Sequence, residues 1–316
     1  IYFYYMKKLT VLLVLFFLSL FNFFLFSQSN SIIILKDGRE YKGKLISIKE
    51  NDILFQIDGR LNFFKRESVW KINFQKKRDY ENVKNISEIK DNEIVEIWSN
   101  SLKWQSQENN FVVLLDKTTY NFKDEKSVTI RMKKAIKILS MDGKDESIQY
   151  FYYLKKYFNV NLLYAISITE DGSVFPVSES AINDEPLNGN YPIYDNLHRV
   201  KFGLKNSDIG TTIIWECELT GTYDEIENPF FIRKQLVNSY PVEKRIIEIT
   251  APKKINLSYS FYSGLIYYKT SHPVIKIQND TTIFNFTENS IAEYVNDEEN
   301  CPDDTLLYPS ININFN

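Results

Sequence analysis

From residue 32 to residue 75 apolar and polar positions alternate almost without a break: SIIILKDGREYKGKLISIKENDILFQIDGRLNFFKRESVWKINF. A period of two sends successive side chains to opposite faces of a pleated strand. Asp37-Gly38 and Asp58-Gly59 each stand between apolar runs, where residues able to take positive φ close a hairpin, and Glu50-Asn51-Asp52 marks a further turn. The stretch predicts four or five short strands, enough for a small N-terminal β-barrel. Between 76 and 110 the alternation loosens. Ile86, Ile89, Ile97, Trp98 and Leu102 form a loose helical stripe with Asn85 or Ser87 as a cap, so the segment reads as a linker with one or two short helices.

Strand patterns return from Phe111 onward. FVVLLDKTTYNF and SVTIRMKKAIKIL precede an Asp142-Gly143 turn; IQYFYYL and NVNLLYAISI precede a turn at Asp171-Gly172. After a polar run from Ser178 to Pro192, read as a loop, come HRVKFGL, TTIIWECELTGTY, PFFIRKQLV, KRIIEITAP and INLSYSFY. Many short strands closely punctuated by turns predict a large antiparallel β-sandwich over residues 111–310, and a mainly β protein as a whole.

Composition supports this reading. Hydrophobic residues at 44% and charged residues at 25% are globular values, and 21 Tyr with 23 Phe favour pleated, half-buried surfaces. Residues 1–80 hold 14 Lys/Arg against 7 Asp/Glu, whereas the remainder holds 24 against 34, which supports a module boundary near residue 80. The basic balance of the first module is read as a solvated face, with no nucleic acid as partner.

Met6 is the expected start. Lys7 and Lys8, an apolar run from Leu9 to Phe26 and then Ser27 have the layout of a signal peptide over residues 1–27, with an uncleaved membrane anchor as the alternative. Either reading exports the rest, to the periplasm or cell envelope, and membrane contact follows only if the leader is retained. Two cysteines, Cys217 and Cys301, exclude a disulfide framework and a cysteine-rich zinc site. They either pair in an oxidising compartment or stay as one buried and one exposed thiol.

Candidate chemistry gathers around Tyr191, Tyr194, Asp195, His198 and Arg199. An Asp beside a His orients a general base. However, no GxSxG elbow, HExxH pair or glycine-rich phosphate loop accompanies it, so no catalytic residue, metal ligand or cofactor is assigned. The cluster reads as polar groups closing a loop. Tyr150, Tyr152, Tyr191, Tyr194 and Trp215 are candidates for an aromatic platform, or equally for a sandwich core.

Over residues 111–310 the order of pieces resembles a known family. "VVLLD…TY" at Val112 to Tyr120, Lys137-Ile138-Leu139, the Asp-Gly at Asp171 and "PVS" at Pro176 are followed by "YPIYDNLHRVKFGL", "GTxIxWECE" and "PFF…Q…SYPVEKRIIEITAP". Together they are similar to the exported bacterial domain of unknown function that sits immediately ahead of a transglutaminase-like domain. Residues 32–75, through Leu35, Asp37, Gly38, Tyr41, Gly43 and Leu45, resemble Sm-like small barrels. The first resemblance implies a downstream partner in which a Cys, His and Asp trio performs acyl transfer. Neither cysteine here suits that role: Cys217 lies between Glu216 and Glu218, and Cys301 lies in an acidic loop. The chain stops at Asn316, where the partner domain is expected to begin, so it is expected to be a fragment or a module acting alone. The expected function is a non-catalytic exported interaction module. Its rivals are the N-terminal part of an envelope peptidase or acyltransferase and a carbohydrate- or peptide-binding sandwich, with Tyr191, Tyr194, Asp195, His198, Arg199 and Trp215 as the binding residues.

Overall fold

The structure, a computed structural model, describes residues 30–74, 78–105, 109–187, 196–222, 231–264, 269–294 and 308–315. Chain contacts divide it into two compact units, Ile1–Lys77 and Arg78–Asn316.

In the first unit β1 (Asn30–Leu35), β2 (Glu40–Ile48), β3 (Asp52–Ile57), β4 (Arg60–Lys65) and β5 (Val69–Phe74) form one antiparallel sheet, ordered β4-β3-β2-β1-β5. Ile33, Leu35, Leu45, Ile53 and Phe55 make its core, with Phe64 packed edge-on against Phe55. Asp58 and Gly59 both have positive φ, as the two-residue hairpin requires. The expected barrel does not close among the described residues. The short 3-10 turn Arg66–Ser68 sends β5 across to β1, which leaves β4 and β5 at opposite edges. Gly43 marks the closest backbone approach, since a Cβ there would sit 2.1 Å from the Gln56 carbonyl oxygen. Gly43→Ala is therefore expected to destabilise this unit by about 1–3 kcal/mol, seen as a lower denaturation midpoint in urea. An unchanged midpoint would show that the β2–β3 pair yields freely.

The second unit is built on an eight-stranded sheet. In chain order the strands are β6 (Phe111–Phe122), β7 (Ser127–Ile138), β8 (Ile148–Leu154), β9 (Phe158–Ile168), β10 (Val174–Pro176), β11 (Ile182–Pro186), β12 (Leu197–Gly203) and β13 (Thr212–Thr222). They continue with β14 (Phe231–Gln235), β15 (Val242–Pro252), β16 (Leu257–Tyr262), β17 (Val274–Gln278), β18 (Thr281–Ile291) and β19 (Ser310–Phe315). The large sheet runs β10-β9-β13-β7-β6-β15-β18-β17, and two three-stranded sheets, β11-β12-β8 and β14-β19-β16, share a core with it. That core is filled by Ile213, Trp215, Cys217 and Leu219 of β13, Phe151 and Tyr153 of β8, Phe202 of β12, Phe284 and Phe286 of β18, and Ile311 and Ile313 of β19.

Three departures from the expected antiparallel sandwich have local causes. β6 and β15 are parallel neighbours, because β15 re-enters the large sheet after the chain has crossed to β14 in the facing layer. Asp142-Gly143 begins a 3-10 turn rather than a hairpin: Gly143 does not have positive φ, and its missing Cβ lets it lie against the Asn110 carbonyl. β11 occupies part of the run read as a loop, paired to β12.

The opposite face of the large sheet is partly covered by the segment before β6. Helix α1 (Asn92–Ser101) is capped by the Asp91 carboxylate, which accepts from the Glu93 amide at 2.9 Å. Asn85 caps the preceding 3-10 turn, Ile86–Glu88. Ile86, Ile89 and Ile94 bury against Val112, Leu114, Ile166 and Ile214. Trp98 packs alongside and donates its indole N–H to the Thr169 carbonyl at 3.1 Å.

Candidate functional site

The candidate residues anticipated above separate into three environments. Trp215 is a core residue, 5% exposed; it stacks on Phe151, meets Phe202 edge-on and donates its indole N–H to Gln149 Oε1 at 3.1 Å. His198 is also buried, on the inward side of β12. Its Nδ1 lies 2.9 Å from Asp184 Oδ1 while the Tyr153 hydroxyl donates to Asp184 Oδ2 at 2.7 Å. Its carboxylate partner therefore comes from β11, the strand paired beside β12. Arg199, one residue on, points the other way and pairs with Glu185. Tyr191, Tyr194, Asp195 and Cys301 lie outside the described residues.

Cys217 is a free, fully buried thiol in mid-strand, and burial pushes its pKa far up, with the Glu216 charge adding to the shift. A thiol held protonated is a poor nucleophile. Among the described residues no three His, Cys, Asp or Glu side chains gather as metal ligands, and no helix is long and apolar enough to cross a membrane. The apolar run from Leu9 to Phe26 lies outside the described residues.

Two surfaces remain. The first is the outer face of the β11-β12-β8 sheet. Because aromatic and aliphatic residues fill every position of IQYFYYL except Gln149, burying Phe151 and Tyr153 leaves Ile148, Tyr150, Tyr152 and Leu154 in a row on the solvent side, each 39–54% exposed. The Tyr150 and Tyr152 rings touch at 5.6 Å, tilted 63° to one another, and strand register sets Lys201 beside Tyr150 and Arg199 beside Tyr152.

The second is a groove of about 380 Å³ on the partly covered face of the large sheet, beside α1. β13, β7 and β6 are adjacent there, so their outward side chains form cross-strand rows: Glu216, Lys133, Lys117; then Glu218, Arg131, Thr119; then Thr220, Thr129, Asn121. Lys133 reaches Glu93 at 2.5 Å, Arg131 reaches Glu218 at 2.7 Å and Lys117 reaches Glu248 at 3.5 Å. Sequence reading missed this groove. Period two marks each of these residues as outward, yet nothing local shows that strands about a hundred positions apart lie side by side.

A buried ionic cluster sits on the core side of the same strands. Asp116, in register with Lys134, is 2.9 Å from Lys234 Nζ and 3.3 Å from Arg245 Nε. Arg245, 1% exposed, also donates to the Gln235 and Leu236 carbonyls. Burial alone would raise the Asp116 pKa, but Lys234 and then Arg245 pull it down to about 2.

Comparison with known proteins places the fold. A chain described as a "putative protease" from Parabacteroides distasonis superposes with a TM-score of 0.57 at 13% identity, covering 65% of this chain and 40% of that one. An M1 zinc metallopeptidase from Deinococcus radiodurans matches with a TM-score of 0.31 at 13% identity, over 66% of this chain and 43% of its own. This chain therefore spans less than half the length of the solved chains it matches, and no curated protein matches it. The family model for a domain of unknown function with a solved structure, DUF3857, matches residues 124–295, more than half of the 316 residues. On that match, the chain belongs to the DUF3857 family.

Proposed function

We propose that the chain is a non-catalytic, exported binding module that seats a partner catalytic domain, of the transglutaminase-like or peptidase kind, on the tyrosine face of β8. The observation that carries this reading is the exposed row Ile148, Tyr150, Tyr152 and Leu154 on a strand without a single charged residue. Strands at sheet edges are normally guarded by charge, and tyrosines flanked by arginine are the residues that dominate protein interfaces. A partner domain within a longer protein is supported by the length of the matched Parabacteroides chain, more than half of which lies beyond the shared fold. A sugar-binding platform is less favoured, since rings tilted 63° apart offer no single flat surface.

The test is calorimetric titration of this chain with the transglutaminase-like or peptidase domain encoded in the same or a neighbouring gene. Binding is expected, and Tyr150→Ser with Tyr152→Ser should weaken it about 30-fold or more without changing thermal unfolding. No such coding region, no heat of binding, or binding indifferent to both tyrosines would overturn the proposal.

A further inference from the structure

The groove on the opposite face of the large sheet supports an assignment independent of the tyrosine face. We propose that it binds a small ligand carrying one ammonium group and several hydroxyls, an amino sugar in chemical class. Its volume of about 380 Å³ falls within the range of small-molecule sites.

The charges select the ammonium. Three cations meet four carboxylates: Lys133 with Glu93 and Asp91, Arg131 with Glu218, and Lys117 with Glu248. Glu216, half-buried on the groove wall, forms no ion pair among the described residues, although register places it directly beside Lys133. That lysine is turned instead toward Glu93 and Asp91. On its buried side Glu216 abuts the Tyr164 phenol, which has no well-formed hydrogen bond of its own. One carboxylate is thus left over, and a partly desolvated carboxylate gains from a cationic hydrogen-bond donor.

The far end of the groove selects the hydroxyls. Thr129 and Asn121 are cross-strand neighbours there, flanked in register by Thr220 and Thr250. Hydroxyl and amide groups both donate and accept, as a polyol requires. A ligand lying across the rows would set its ammonium against Glu216 and its hydroxyls against Thr129 and Asn121.

The experiment is an NMR titration of the chain with glucosamine, glucose and N-acetylglucosamine, below the pKa of the free amine. Glucosamine is expected to bind with a Kd on the order of millimolar, shifting groove amides, and about tenfold more tightly than either sugar lacking the ammonium. Glu216→Gln, which keeps the side-chain shape, should reduce glucosamine to the level of glucose while leaving the thermal unfolding midpoint unchanged. Glucosamine no tighter than glucose in the natural protein, or a preference that survives Glu216→Gln, would overturn the assignment. The tyrosine-face proposal is untouched by either result.

Discussion

Trp215→Ala is expected to destabilise the second unit by about 3–5 kcal/mol and lower its melting temperature by about 10 °C or more. The indole is buried between β13 and the facing sheet, in contact with Phe151 and Phe202, and its removal also leaves Gln149, 6% exposed, without its donor. Tyr152→Ala, next to Phe151 on the facing strand β8 but solvent-facing, should change stability by no more than about 0.5 kcal/mol. Differential scanning calorimetry of the two variants separates core from surface. Equal, small effects would mean that the indole does not carry the packing described for it.

The second large effect is expected in acid. Asp116 titrates near 2 in the folded chain, against about 3.9 when unfolded, so folding favours the ionised form. The stabilisation is fully present above the unfolded value and is lost as the pH falls toward 2; it amounts to about 2 kcal/mol. Asp116→Asn should remove that slope and, by leaving Arg245 buried without its carboxylate, cost about 3–5 kcal/mol at neutral pH. Urea midpoints measured from pH 7 down to pH 2 check both parts. A variant as stable as the parent at pH 7, with the acid slope intact, would remove Asp116 from the account.

These two residues also mark how far the amino-acid pattern reaches. Most strands up to β16 were legible, and the hairpin at Asp58-Gly59 formed where its residues demand it, whereas β11 and the strands after β16 were not singled out. What alternation could not supply was the choice of face. Within IQYFYYL apolar residues occupy both phases, so Phe151 inward and Tyr152 outward cannot be told from the reverse. Trp215 and Glu216 alternate clearly, but both faces of the large sheet are partly covered, one by the small sheets and one by α1, so the tryptophan could be read as platform or core. Pairing across distance was equally hidden. His198 takes its carboxylate from Asp184 because β11 lies beside β12, a strand absent from the expected pattern. The groove depends on the order β13-β7-β6, which only the assembled sheet fixes.

The parallel pairing of β6 with β15 sets a timetable for the chain. Val113 meets Val242 there, so the ladder in the middle of the large sheet cannot zip until well over a hundred intervening residues are available. Contacts of such span incur their loop-closure entropy before any reward and slow the search for the native state. The hairpin of β6 and β7 is local and able to form early; β15 with β18 and β17 must dock onto its exposed flank afterwards, leaving β6 as a temporarily bare edge. For a polypeptide that emerges from one end, that interval is when self-association competes most strongly with folding.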